Sequence, residues 1–296
     1  MAKAARIAGF PERCLRSIPV DSRLRLRPDL LEAAIREDGA RGLRPFLVVA
    51  NAGTTNTGAI DPLPEIADIA ARHGLWVHAD AAYGGFFRLV PDGAARLAGL
   101  ERCDSITLDP HKGMFLPYGT GCLLVRDPET LRRAHGGQAA YLQDLGHGDG
   151  EASFTEISPE LSRDFRGLRV WLPIQLHGLR AFREQIQEKL DLARWAYDQL
   201  KHEPLFEMLD EPQLSIVAFA WRAPGGTGGA GGRDANSLGA ELLRRVNARR
   251  RVFLSSTTIG GRYVLRLCVL SFRTHMDRMR DAVAALKEEA RLLARR

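Results

Sequence analysis

Apolar residues recur along this chain in two rhythms, and the alternation between them sets the first expectation of fold. PDLLEAAIRED, residues 28–38, places its apolar side chains at helical spacing and is expected to stop at Gly39. PFLVVANAG (45–53) is a continuous apolar run ending in small and polar residues, as a buried strand does. A second helix follows, with Asp61 placed to cap it, Pro62 in its first turn, Leu63, Ile66 and Ile69 on one face, and Gly74 at its end. LWVHAD (75–80), CDSITLD (103–109) and GTGCLLV (119–125) read as further strands. Strands that are apolar on both faces and separated by helices predict a parallel sheet covered on both sides, an α/β architecture.

The rhythm then changes. Residues 159–202 are expected to be almost wholly helical, with a kink or break at Pro173. LSIVAFAW (214–221) opens a different region, in which NSLGAELLRRV is an amphipathic helix carrying Leu238, Leu242 and Val246 on one face. VFLSSTTI and RYVLRLCVL flank Gly260-Gly261, a hairpin signal, and Thr274 with Asp277 resembles a capping box opening the last helix. The economical division is a large domain with connecting helices over residues 1–205 and a small α+β domain over 206–296, with no internal repeat.

Composition narrows the class without naming a function. The 296 residues are 45% hydrophobic and 26% charged, as in ordinary globular proteins. No apolar run reaches the length of a membrane span and the first residues lack a signal-peptide core, so the cytoplasm is the expected address. Four dispersed cysteines without a C-x-x-C pair argue against a zinc site and a disulfide framework. The net charge of +6 comes without a helix-turn-helix, a finger or an aromatic-interleaved basic strip, which disfavours nucleic acid. It suits anionic small molecules equally well. GTGGAG (226–231) has the form G-x-G-x-x-G, but the next strand, RVFLSST, ends in hydroxyls where a dinucleotide site needs an acid. With Pro224 beside it, that stretch reads as a connection.

In open parallel sheets, ligands bind beyond the carboxyl ends of the strands. Three of the expected strands end in polar groups there: Thr54-Thr55, Asp80 and His111-Lys112. A lysine amine can form an imine with an aldehyde, and a carboxylate can hold a heteroaromatic nitrogen protonated, which is the protein's share of pyridoxal-phosphate chemistry. An Asp80–Lys112 salt bridge at a domain edge is the plainer reading of the same two residues.

The surrounding residues favour the chemistry. NAGTTNTGAID, HADAAYGG and DPHKG, in this order on strand ends, resemble the pyridoxal-phosphate-dependent amino-acid decarboxylases, the group that includes the aromatic amino-acid and glutamate decarboxylases. The likeness continues through SPELSRDFRGLRVWLPIQLHGLRAF and VLRLCVLSFRT. It implies an aspartate-aminotransferase-like, fold type I architecture, here incomplete, because KAARIAG at residues 3–9 matches an interior segment of the family. It also implies decarboxylation of an L-amino acid to the amine and CO2, with pyridoxal 5'-phosphate as cofactor and a homodimer as the assembly. A non-catalytic remnant or partner subunit that binds the cofactor weakly is the alternative.

Carried over residue by residue, the resemblance makes Lys112 the imine-forming lysine and Asp80 the partner of the pyridine nitrogen. Ala82, two residues further along the same strand, packs against one ring face, and Thr55 contacts the cofactor. Asp109 and His111 fall near the phosphate, where many relatives have asparagine in place of Asp109; an aspartate there repels a phosphate dianion unless a cation or proton intervenes. His78 shares a strand face with Asp80 and either orients its carboxylate or packs in the core. Tyr141, in the glycine-rich stretch GGQAAYLQDLGHGDGEAS, corresponds to a loop tyrosine that protonates the substrate's α-carbon. Substrate identity stays open among aromatic, acidic and aliphatic amino acids.

Overall fold

The computed structural model describes residues 2–136, 154–222 and 234–295. After a short helix, α1 (Ala2–Ile7), comes α2 (Pro28–Ala40), which buries Leu31, Ala34 and Ile35 on one stripe. It runs through Gly39; the glycine with positive φ that follows it is Gly42 (φ 75°). Strand β1 (Leu47–Asn51) leads to α3 (Leu63–His73), whose apolar face is Leu63, Ile66 and Ile69 and whose left-handed cap is Gly74. Asp61 does not cap this helix. Its buried carboxylate accepts from the backbone N–H groups of Leu26 and Asn51, both at 2.7 Å, and so ties an upstream segment to the end of β1.

Strand β2 (Trp76–Asp80), helix α4 (Pro91–Arg96), strand β3 (Ser105–Leu108), the single turn α5 (Pro110–Gly113) and strand β4 (Cys122–Val125) complete the first sheet. Its order is β1-β2-β3-β4, with β1, β2 and β3 parallel and β4 antiparallel to β3. The sheet is thus mainly parallel, as expected, with one antiparallel strand at its edge that the sequence did not reveal, because a short apolar run reads the same in either direction. Coverage is incomplete on one face. Val48, Ala50, Val77 and Ala79 face the core beneath α2 and α3, whereas Leu47 and Leu123, on the opposite face, are exposed.

Helices α6 (Pro128–His135) and α7 (Phe154–Ile157) precede the long α8 (Leu168–Leu200). Residues 159–167 are not helical, contrary to expectation. Nor does α8 break at Pro173, which sits in its second turn with helix on both sides; the break is at Gly178, whose φ of 71° and ψ of 156° only glycine adopts readily.

Beyond α8 lie β5 (Phe206–Met208), β6 (Ile216–Trp221), α9 (Ala235–Ala248), β7 (Ser255–Ile259), β8 (Arg262–Cys268) and α10 (Met276–Ala294). The strands form an antiparallel sheet of order β5-β6-β8-β7. Gly260 and Gly261 close the β7–β8 hairpin with positive φ at both, as a two-residue loop requires. Leu238, Leu242 and Val246 of α9 join Leu286 of α10 and Phe219 of β6 in a second core. The capping box at α10 is absent: His275 takes the cap position without a side-chain bond to the helix, its Nδ1 lying 2.7 Å from Glu188 Oε1, and Thr274 offers its carbonyl to Lys189 Nζ at 2.7 Å.

Candidate active site

The register Asn51↔Asp80↔Thr107 sets the carboxyl ends of β1, β2 and β3 side by side. Each end runs into a tight loop or turn. After β1, Thr54 is used up locally: its hydroxyl lies 3.0 Å from that of Thr57 and accepts from the N–H of Ala59 at 3.2 Å. Thr55 is exposed, and its carbonyl accepts from the Arg266 guanidinium.

After β2, Asp80 is exposed and accepts from the N–H of Ala82 at 3.3 Å. Ala82 is not on the strand, as the sequence suggested, but in the turn beyond it; β2 ends at Asp80. That turn lies hard against the end of β1. A Cβ on Gly84 would sit 2.0 Å from the carbonyl oxygen of Ala52, so only glycine fits. Tyr83, between them, is buried; its phenol oxygen lies 2.7 Å from Ser215 Oγ and accepts from the Ser215 N–H at 3.2 Å.

His78 neither holds Asp80 directly nor packs as a plain core residue. Its Nδ1 lies 2.8 Å from Ser105 Oγ and its Nε2 lies 3.1 Å from Thr107 Oγ1, so β3 hydroxyls engage both ring nitrogens. Trp76 adds an indole N–H donated to Ser105 Oγ at 2.8 Å. Burial holds the His78 pKa below the ordinary histidine value, outweighing the opposite pull of Asp80. The imidazole beside the carboxylate is thus kept neutral.

After β3, Asp109 precedes α5 and pairs with Lys112: Nζ lies 2.9 Å from Oδ2. His111 stands 3.8 Å from the same oxygen through Nε2 and donates its Nδ1–H to the carbonyl of Thr120 at 2.9 Å. The Asp80–Lys112 bridge is not found: the Lys112 side chain is 34% exposed and its acidic partner is Asp109. Tyr141 lies outside the described residues, as does GTGGAG.

The structure therefore gathers Thr55, Asp80, Ala82, Asp109, His111 and Lys112 at one sheet edge, with His78 one step inward. Sequence reasoning missed Trp76, Ser105, Thr107, Tyr83 and Arg266. For two of them a signal existed: Ser105 and Thr107 alternate along β3, opposite His78 and Asp80, and polar groups spaced by two inside an apolar run share a face.

Fold and site together define a fold type I pyridoxal-phosphate architecture. The family model described as the pyridoxal-dependent decarboxylase conserved domain matches residues 1–222. The chain is 36% identical over 286 residues to an aromatic-L-amino-acid decarboxylase of Bacillus atrophaeus, covering 96% of this chain and 59% of that protein. It is 34% identical to tryptophan decarboxylase 1 of Oryza sativa subsp. japonica, covering 97% and 56% respectively. Among solved structures, Oryza sativa TDC with PLP and tryptamine superposes with a TM-score of 0.90 at 32% identity, over 98% of this chain and 60% of that one. Catharanthus roseus tryptophan decarboxylase in complex with L-tryptophan gives 0.88 at 26% identity, over 99% and 61%. This chain belongs to the pyridoxal-dependent decarboxylase family, and it spans rather more than half the length of these relatives.

Proposed function

We propose that this chain carries the lysine-bearing part of a pyridoxal-phosphate-dependent decarboxylase acting on an L-amino acid of the aromatic class. The observation that carries the reading is the pair of strand ends at which an exposed carboxylate, Asp80, stands beside the turn bearing the Lys112 amine. The printed names of the relatives, aromatic, tryptophan and tyrosine decarboxylases, support the substrate class.

The side chains fit the cofactor at its ring and aldehyde ends. Asp80 forms no ion pair among the described residues, so its carboxylate is open to a protonated ring nitrogen. Lys112 is partly exposed, and its Nζ lies 2.9 Å from Asp109 Oδ2. When bound, pyridoxal phosphate supplies an electron-poor ring that takes up the electron pair left as CO2 departs. Asp80 would keep the proton on the ring nitrogen, and neutral His78 adds no competing positive charge next to that carboxylate. Lys112 would hold the aldehyde carbon, with Asp109 paired to its amine and so kept from direct phosphate contact. Ala82 would lie against the ring, Thr55 and His111 at its margins, and Tyr141 would return a proton to the α-carbon. We further infer a division into domains near residue 205, a cytoplasmic homodimer, and an amine product. No described helix is long and apolar enough to cross a membrane.

The test is spectroscopic. Purified chain with added pyridoxal phosphate should develop imine absorbance that Lys112→Ala abolishes, and should release CO2 from an aromatic amino acid. Absence of the band at saturating cofactor would overturn autonomous catalysis and favour a non-catalytic remnant or partner subunit.

A further inference from the structure

The loop after β1 carries Thr55, yet its backbone is held by a residue from the other end of the chain. Arg266, in the middle of β8, reaches 211 residues back along the chain. Its Nε–H donates to the carbonyl of Asn56 at 2.7 Å, its Nη2 donates to the carbonyl of Thr55, and its Nη1 donates to Ser255 Oγ at 3.2 Å on neighbouring β7. A guanidinium offers five donors on three nitrogens in a fixed plane, so it reaches spread-out acceptors such as consecutive carbonyls and a hydroxyl, whereas an ammonium's three donors all leave one nitrogen.

The rest of the loop does not need Arg266 to form. Thr54 N–H bonds to Ala59 O at 2.9 Å, Gly58 N–H bonds to Thr54 O at 2.8 Å, and Ala52 bridges to Ile60. What those bonds leave open is the outer tip, residues 55 and 56, whose two carbonyls are the ones Arg266 takes. The inner side is pressed from the same direction: the Ile60 N–H donates to Gln213 Oε1 at 2.9 Å, and Gly58 lies against Leu214, Ile216 and Tyr83. Resting on the functional reading above, we propose that Arg266 is a positioning residue that fixes the Thr55 tip from the second sheet, so that β8 sets the geometry of one wall of the cofactor site without touching the cofactor's reacting atoms.

The experiment compares the full wild-type chain with Arg266→Ala and Arg266→Lys. Amide hydrogen exchange is followed by mass spectrometry on peptides spanning residues 53–60 and on peptides from α9 and α10. Pyridoxal phosphate binding is titrated in parallel. A bond to a charged donor is stronger than a neutral one, so Arg266→Ala should speed exchange of the loop amides at least about tenfold. The α9 and α10 peptides should keep wild-type protection, and the cofactor Kd should rise by about tenfold. Lysine, whose donors all sit on one nitrogen and cannot span the same three acceptors, should fall between. Should the alanine variant lose protection in α9, the lysine variant decides. Wild-type exchange at the loop in the folded variants overturns the proposal; so does a loosened loop with wild-type cofactor affinity. Were the wild-type chain to take up no cofactor, the functional reading would fall, and loop exchange alone would uphold or overturn the clamp.

Discussion

The two four-stranded sheets are covered very differently. In the second, every residue of β6 is buried, with α8, α9 and α10 on one side and the first sheet's loops on the other. In the first, one face is core and the other exposes Leu47, Asp80 and Leu123. The same contrast recurs inside α8. Before the break at Gly178, Leu168, Trp171, Leu172 and Leu176 form an exposed stripe; after it, Phe182, Ile186, Leu192 and Ala196 are buried. Both halves are amphipathic, so apolar periodicity reports a surface that can be covered and says nothing of what covers it. Candidate chemistry sits where packing is incomplete, whereas the closed sheet and the segment leading into it supply tethers: Arg266 on β8, and Gln213 and Ser215 just before β6, all reach the strand-end loops.

Core truncation gives the largest expected effect on stability. Leu242→Ala, in the closed core of the second sheet, should cost about 2–5 kcal/mol in denaturant unfolding, because a fully buried leucine leaves a cavity. Trp171→Ala, on the exposed stripe, should change stability by no more than about 0.5 kcal/mol. Comparable losses for the two variants would break the contrast and show that the stripe is covered in solution.

How far this contrast could be read in advance depended on the range of the interactions involved. Helices α2, α3 and α9 and the Gly260-Gly261 hairpin were legible because periodicity and turn chemistry are local. Asp61 misled because its carboxylate sits at a plausible cap position while bonding to Leu26, 35 residues away. Pro173 drew attention from Gly178 because glycine's permissiveness leaves no mark of its own in a sequence. At the site, the strand-end residues were legible as a set, since parallel strands deliver their carboxyl ends to one edge. Their pairing was not: Lys112 turned to Asp109, three residues back on the same turn, and Arg266 acts across the whole fold.

The next effect concerns a tether. Tyr83→Phe removes the phenol that joins the turn after Asp80 to Ser215, leaving a buried N–H and hydroxyl to find other partners. The expected cost is about 1–2 kcal/mol, measured by thermal or urea unfolding. Burial pushes the Tyr83 pKa up, with the Ser215 hydrogen bond opposing it only in part. A raised folded-state pKa means that the unfolded phenol ionises first, near the ordinary value of about 10. This contribution is therefore complete below about pH 10 and declines as pH rises beyond it. The phenylalanine variant should show a shallower alkaline loss than wild type; equal slopes would detach Tyr83 from that behaviour.

The smallest effect belongs to His78, on the open face. Burial lowers its folded-state pKa despite Asp80, so the unfolded histidine takes up a proton first, near about 6.5. Its contribution to stability is present above that pH and is lost as pH falls toward the folded value. Two measurements separate this from a general acid effect. Imidazole resonances of His78 should titrate with a midpoint below that of an unfolded histidine, and His78→Gln should flatten the stability curve below about pH 6.5. Ser105→Ala, which removes the hydroxyl shared by Trp76 and His78, should let the imidazole reorient and move its midpoint. A His78 midpoint at or above the unfolded value would mean that Asp80 outweighs burial, and the open face would then present an ion pair where the hydroxyl-bound neutral ring now stands.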